Sequence, residues 1–417
     1  MNSNAEIPLK VSDQRSSFGW TYSQLKNQGF PADAFVNESF DPGYQIPEGQ
    51  GGIPVLEIHV RLIEGGLLLG IYGHHSVFDA TGLNMIIKAF AQLTSHPTRA
   101  LDNNQNLHLY ADLPVAKDDE TRTSSRSEFR LLLDKCIEYC LLPSPTGPTQ
   151  FRIPVTDATL EKPGKTGRIF AIDNQQLRDL KLGIQRAVSI GPQNRPPSTF
   201  TCLAALVWAH TTKARLSSSG YLSSPSSIET ASMKDARLLI SVDWRHRAFT
   251  NVMGSSSGNA IALSIASVNT ANVMAAYNAD QNVAYSALST LVQAIEDAVR
   301  SVDDDFVALR TALIRESPDP RLIGVDINPE DPYDFYFNTW RHFGTSTLWR
   351  LPGLGKNGCE DDVAPDALRR AQPAYSVGTG LLFPAGSDPD KFEVMIGLEM
   401  EAMVGLCADP SWQRWLK

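Results

Sequence analysis

Residues 65–83 read GGLLLGIYGHHSVFDATGL, and three kinds of local pattern meet in these nineteen positions. Leu67–Tyr72 is a short apolar run that reads as a β-strand buried on both faces. Leu83, Ile86, Ile87, Phe90 and Leu93 then recur at the spacing of an amphipathic helix. Between the two lies a polar block, Gly73-His74-His75-Ser76-Val77-Phe78-Asp79-Ala80-Thr81-Gly82. A junction from a buried strand to a helix holds its residues rigidly yet is open at one end, which suits reacting groups. Upstream, Pro54–Leu62 is rich in β-formers and Glu64-Gly65-Gly66 can turn the chain, so the two strands make a hairpin.

Histidine is the side chain whose reference pKa lets it take a proton from an alcohol or amine near neutrality. Adjacent histidines on a turn point in different directions, and His75 is preferred over His74 as the base. Asp79 has two expected uses. It could orient the imidazole as in a triad, or pair with a cation and fix the loop. A capping role at the start of the following helix is compatible with either. Metal binding by His74, His75 and Asp79 is disfavoured, because the helical His-x-x-x-His spacing is absent and no Cys/His cluster occurs. Gly254–Gly258 contains Gly-x-Ser-x-Gly but lacks the strand before and the helix after that a nucleophile elbow needs, and reads as a flexible loop.

Further along, a short helix is expected near Thr21–Gln28 and a longer one over Phe129–Leu142. Residues 116–127 read as charged surface and residues 143–165 as a connection. Arg168–Ile172 is a strand and Asn174–Val188 a helix, with Ile190–Pro197 a loop. Ser198 or Thr199 can cap a helix running to about Ala214 with Leu203, Leu206, Val207 and His210 on one side. Residues 216–230 are Ser-rich and read as a loop. Strands follow at Arg237–Asp243 and Asn259–Ser267, then helix over Gln281–Glu316 with a break near Asp303–Asp305. Leu381–Pro384 and Phe392–Leu398 form a hairpin across Ala385–Asp390, before a helix at Glu399–Leu406 and a terminal piece at Ser411–Leu416. This mixture predicts an α/β fold with mixed sheets in two subdomains.

The chain has 417 residues, 42% of them hydrophobic, enough for sizeable cores. Its net charge of −9 is spread out, with no basic patch for nucleic acid. Five scattered cysteines argue against a disulfide framework. The first residues lack a secretory pattern, and no apolar run is long enough to span a membrane, so a reducing cytoplasmic setting is expected.

At His74–Gly82 the sequence resembles the BAHD acyltransferases, particularly the trichothecene 3-O-acetyltransferase-like branch of fungal secondary metabolism. TYSQLKNQGFPADAFV (21–36), PPSTFTCLAALVWAH (196–210), ISVDWRHR (240–247), GNAIALSIASV (258–268), FNTWRHF (337–343) and EVMIGLEMEAMVGLCADPSW (393–412) follow in the family's order. The resemblance implies two chloramphenicol-acetyltransferase-like subdomains, residues 1–165 and 166–417, with a tunnel between them. It implies no permanently bound cofactor and no metal. An acyl-CoA, acetyl-CoA first, is the expected co-substrate and a small-molecule hydroxyl the acceptor, in a monomer. His75 would be the base, Asp79 a structural partner of Arg245, Trp340 a neighbour of the site and Asn338 a donor to the oxyanion. Ser198, Thr199 and Arg245 would contact the CoA. Two departures stand out. Thr347–Gly355 occupies the place of the family's Asp-Phe-Gly-Trp-Gly motif, and the segment before His75 is shorter than usual. These leave room for two other functions on the same fold: cyclisation or isomerisation without CoA, or non-catalytic binding.

Overall fold

A computed structural model of the chain describes residues 7–40, 54–95, 126–143, 164–187, 196–250, 256–277, 280–344, 346–351, 362–384 and 390–417. The readings of residues 116–125, 144–163, 188–195, 254–255 and 385–389 fall outside these, as does the 352–355 part of Thr347–Gly355.

Three strands near the start, β1 (Leu9–Asp13), β2 (Leu56–Ile63) and β3 (Gly66–Gly73), form a sheet in that order. β2 and β3 are the expected hairpin, with Val60 opposite Leu69, and β1 runs parallel to β2. β3 is half-buried along its length rather than buried on both faces. Its place at the edge of a three-stranded sheet explains this, since only one neighbouring strand covers it. Helix Tyr22–Asn27 packs nearby, opened by a Thr21/Gln24 capping box.

β4 (Tyr139–Leu141) pairs with β8 (Ile323–Val325), so the helix expected over Phe129–Leu142 ends earlier, at Lys135. The chain turns at Cys136, whose amide donates to the Leu133 carbonyl and whose carbonyl accepts from Tyr139, and strand pairing then outcompetes helix. Glu138 beside it takes a bidentate hydrogen bond from Arg310 of helix Asp304–Glu316, at 2.5 and 3.0 Å.

The larger sheet has six strands. β5 (Lys165–Asp173), β6 (Asp235–Asp243), β7 (Ile261–Asn269), β9 (Asp334–Thr339), β10 (Thr379–Leu382) and β11 (Lys391–Glu399) lie in the order β5-β11-β10-β9-β6-β7. β9 runs parallel to both β6 and β10, and the other pairings are antiparallel, so the sheet is mixed. Alternate residues on one face, among them Leu238, Ile240, Phe335, Phe337, Val394 and Ile396, join the main core. Helices Asn174–Ala187, Thr199–Ser218, Gln281–Arg300 and Met400–Ala408 cover that face. The opposite face carries Ser241, Asp243, Tyr336 and Asn338, all only half-buried.

Helix Thr199–Ser218 departs from the expected one-sided pattern: from Thr201 to Leu216 nearly every residue is buried. It lies in the middle of the core against sheet and helices alike, and such a helix is apolar all round rather than amphipathic. Arg215 near its end is 1% exposed and bonds the Glu399 carboxylate and the carbonyls of Pro329, Asp331 and Asp334. The Ser-rich stretch 216–230 is also more ordered than expected. The long helix runs on to Ser218, and Ser224 and Ser227 form a capping box for a second helix, Pro225–Ser232, with Pro at its first position.

His210 sits in this core helix at 5% exposure, and its Nδ1 donates to the Leu206 carbonyl at 2.9 Å. Burial lowers its pKa from 6.5 to about 4. The unfolded imidazole takes up a proton near 6.5, whereas the folded one resists until about 4. The folded state therefore loses stability as pH falls from 6.5 towards 4 and keeps it in full above 6.5. Urea titrations across that window are expected to show a shallower acid loss in His210→Gln than in the wild type; equal slopes would refute this.

Candidate functional site

β3 ends at Gly73, and helix Ala80–Ser95 begins seven residues later. The turn between them is closed by the Val77 amide on the His74 carbonyl at 2.9 Å and is held at its base by buried Phe78. Asp79 is the N-cap of the helix: its Oδ1 accepts from the Gly82 amide at 2.8 Å and its main-chain carbonyl from Leu83.

The same carboxylate is the hub of a buried network. Its Oδ2 accepts from the Ala260 amide at 2.7 Å and lies 2.9 Å from Arg245 Nη2. Both side chains of this pair are 1% exposed. Arg245 Nε donates to the Ser256 carbonyl at 2.8 Å and Nη2 also donates to the Gly258 carbonyl. Asp243, at the end of β6, accepts from Thr81 Oγ1 at 2.8 Å and from the Arg245 amide at 3.0 Å, and lies 3.1 Å from Arg245 Nη1. The strand-to-helix turn is thus fastened to the ends of β6 and β7 by charge-assisted hydrogen bonds.

His75 stands on the open side of this turn. Its carbonyl accepts from Asn259 Nδ2 at 2.6 Å, while its side chain is exposed. His74 is half-buried and its Nδ1 is hydrogen-bonded to Ser76 Oγ at 2.6 Å. Of the two histidines, His75 is the more exposed.

Of the two uses expected of Asp79, the structure shows the pairing with a cation and not a hydrogen bond to the imidazole. Its two oxygens are directed at Gly82, Ala260 and Arg245, which leaves capping and ion pairing as its uses. Arg245, expected to contact the CoA, is buried, and its Nε and Nη2 donate to the Ser256 and Gly258 carbonyls and to Asp79. Ser198 is the N-cap of helix Thr199–Ser218, accepting from the Thr201 amide at 3.0 Å, with its own amide 3.3 Å from the Glu296 carboxylate. It is exposed and Thr199 half-buried. Asn338, on β9, donates through Nδ2 to Tyr336 Oη at 3.0 Å, which in turn is 2.9 Å from Ser241 Oγ. Burial raises the Tyr336 pKa, so the phenol keeps its proton for this chain. Trp340 packs at 5.5 Å from Phe343 and 6.3 Å from Phe383. It bridges the cluster around Leu381 and Met395 to that around Ile87 and Trp349, so it joins the large sheet to the helix after the histidine turn.

Sequence reasoning passed over Gly82, Asn259 and the carbonyls of Ser256 and Gly258. The loop read as flexible is, at Ser256 and Ser257, 2% and 0% exposed. A β-carbon on Gly82 would fall inside the Ser257 carbonyl oxygen, so the helix start and this loop meet without room for a side chain. Gly82→Ala is therefore expected to push the loop off Arg245 and Asp79, costing about 1–3 kcal/mol. Thermal unfolding measures it, and an unchanged midpoint would show that the loop yields freely. Among the described residues, no group of His, Cys, Asp and Glu is placed to hold a metal ion, and no helix is long and apolar enough to cross a membrane.

Residues 1–93 match the family described as the trichothecene 3-O-acetyltransferase-like N-terminal domain. The trichothecene 8-O-acetyltransferase of Fusarium sporotrichioides is 25% identical over 95% of this chain and 79% of its own length. The acyltransferase easC of Emericella nidulans is 24% identical over 99% of this chain and 80% of its own. The chain thus spans about four-fifths of these relatives. Among solved structures, F. sporotrichioides TRI101 complexed with coenzyme A and T-2 superposes with a TM-score of 0.68 at 19% identity, covering 99% of this chain and 81% of that one. The fold is therefore that of TRI101, α/β with mixed sheets as expected.

Proposed function

We infer, from the chain's kinship with fungal acetyltransferases of the trichothecene 3-O-acetyltransferase-like group, that it moves an acyl group, acetyl first, from a coenzyme A thioester to a hydroxyl of a small secondary metabolite. The observation that supports this most is the placement of His75: an exposed imidazole on a turn whose rear is locked by Asp79 and Arg245. In this reading residues 1–165 and 166–417 are the two halves of the enzyme and the reactants meet between them. His75 takes the proton of the acceptor hydroxyl as its oxygen attacks the thioester carbonyl carbon. The tetrahedral intermediate then collapses, the carbon–sulfur bond breaks, and the imidazolium returns the proton to the thiolate. No covalent enzyme intermediate is needed. Asn338 supplies an amide N–H to the oxyanion, with Tyr336 fixing the direction of its side chain. Ser198 and Thr199 border the CoA, Trp340 forms part of the wall, and the enzyme works as a cytoplasmic monomer.

Release of free thiol from acetyl-CoA in the presence of a trichothecene alcohol is the direct test. Turnover that requires both reactants supports the reading. Failure of acetyl-CoA and longer acyl-CoAs both to bind in calorimetry and to release thiol overturns it. Asn338→Ala carries a sharper expectation: kcat falls by about a hundredfold, roughly 3 kcal/mol of barrier, because the donor acts on charge that exists only in the transition state. The KM for acetyl-CoA stays near its wild-type value. A kcat within a few-fold of wild type would remove Asn338 from the mechanism.

A further inference from the structure

Residues 366–372 tie the N-terminal part of the chain to the six-stranded sheet. Asp366 accepts from Lys26 Nζ at 2.9 Å and from Tyr22 Oη. Arg369 donates to the Gly29 and Phe30 carbonyls, both at 2.7 Å, and its guanidinium lies 2.9 Å from the Glu393 carboxylate. The Gln372 amide donates to the Phe35 carbonyl at 3.2 Å. The chain is therefore held in place on both sides of Arg370.

Arg370 is the exception along this segment. It is half-buried, and among the described residues no hydrogen bond or ion pair reaches its guanidinium. Arg215, Arg237, Arg245 and Arg310 each hold a carboxylate, as Arg369 does. The titratable group that acts on Arg370 is instead Tyr336, a neutral phenol. Burial pulls the Arg370 pKa below its ordinary value, as expected of a cation drawn out of water without a counter-ion. A guanidinium does not shed its charge near neutrality. It needs an anion, and the fold supplies none.

The position of this cation bears on the substrates. Tyr336 takes the hydrogen bond of Asn338, and the two residues share one face of β9, about 7 Å apart along the strand. In the acyl-transfer reading the thioester carbonyl lies at Asn338. An anion beside Arg370 then belongs to the part of the substrates close to that carbonyl. The phosphates of CoA do not meet this description, since the whole pantetheine arm separates them from the sulfur.

We propose that Arg370 is the counter-ion for a carboxylate carried by one of the two reactants, on the acyl chain or on the acceptor, a few atoms from the reacting carbonyl. The proposal rests on the acyl-transfer reading and narrows its substrate pair to one that is anionic beside the reacting centre.

Two contrasts, run on the full chain and on Arg370→Gln, find the source. In the donor contrast, succinyl-CoA and malonyl-CoA are compared with acetyl-CoA by calorimetry. In the acceptor contrast, a panel of hydroxy acids is compared with the matching methyl esters by thiol release from acetyl-CoA. The wild type is expected to favour the charged member of one contrast by roughly ten- to a hundredfold, the strength of a hydrogen bond to a charged group. Arg370→Gln should lose that preference and Arg370→Lys keep part of it, whereas an arginine with a merely structural role would leave the ratios unchanged. The affinity of Arg370→Gln for free CoA should match the wild type, and so should its thermal midpoint, because no partner loses a bond. A wild type with no preference in either contrast, or a preference that survives in Arg370→Gln, overturns the proposal. Weakened binding of free CoA to Arg370→Gln also overturns it, in favour of a phosphate. A wild type that binds no acyl-CoA at all is a different result, since it removes the acyl-transfer reading itself.

Discussion

Replacing His75 with alanine is expected to lower kcat for acyl transfer by about 10²–10⁴-fold, the range that general-base assistance contributes. Binding of the CoA thioester should survive almost intact. The reason lies in the arrangement of the turn. The His75 carbonyl, not its ring, is what the fold uses, through Asn259, and the side chain itself is exposed. Truncating it removes a proton acceptor without opening a cavity or orphaning a buried group, so the variant should unfold at the wild-type temperature. Single-turnover kinetics with acetyl-CoA and an acceptor alcohol, run beside calorimetric binding, separate the two effects. A variant that keeps wild-type kcat would eliminate His75 as the base. The neighbouring His74→Ala serves as the contrast, since that ring is tied to Ser76 within the turn and its loss should cost far less in kcat.

Arg245→Met should have the largest effect on stability. The guanidinium and the Asp79 carboxylate are both 1% exposed, so removing the cation strands a buried anion. Breaking such a pair costs about 3–5 kcal/mol, although replacing both partners together by apolar or neutral groups costs much less. The double variant Asp79→Asn/Arg245→Met is therefore expected to recover only part of the loss, since an amide has one acceptor oxygen for the two main-chain N–H groups, of Gly82 and Ala260, that Asp79 accepts from. Urea denaturation of the four proteins forms a cycle that isolates the pair. Simple additivity of the two single losses would mean that the partners do not interact. Arg245→Lys should not rescue, because an ammonium lacks the fork that reaches Ser256, Gly258 and Asp79 at once.

The strands and helices around His75 were legible because their patterns are local. β2, β3 and the helix after them show hydrophobic spacing over short windows, Ser198 announces the helix it caps, and the break expected near Asp303–Asp305 is where one helix ends and the next begins. The Asp79–Arg245 pair came from family resemblance, since 166 positions separate its members and no local rule connects them. Apart from the Asn259 amide, what escaped notice was made of main chain. Ser256 and Gly258 act through carbonyls, Ala260 through its amide and Gly82 through the absence of a side chain, and none of these roles is written in side-chain chemistry. The misread segments have a similar origin. Tyr139–Leu141 is a strand because it finds Ile323–Val325, a partner far along the chain. Helix Thr199–Ser218 has no polar face because it lies at the centre of the core, and its position in space is not a property of its own twenty residues.

The fastening of the histidine turn from behind has an evolutionary consequence. In the acyl-transfer reading, what fixes the base, from Asp79 and Arg245 to the carbonyls of Ser256 and Gly258, is a polar network, whereas Trp340, the wall residue of that reading, packs among hydrophobic side chains such as Phe343 and Phe383. Frame and lining can then drift independently. If the acyl-transfer reading holds, a lineage can resculpt the wall for a new alcohol, step by step, with the histidine turn carried along unaltered. Laboratory selection for altered acceptors should accumulate its changes in those hydrophobic side chains and leave the anchoring residues untouched.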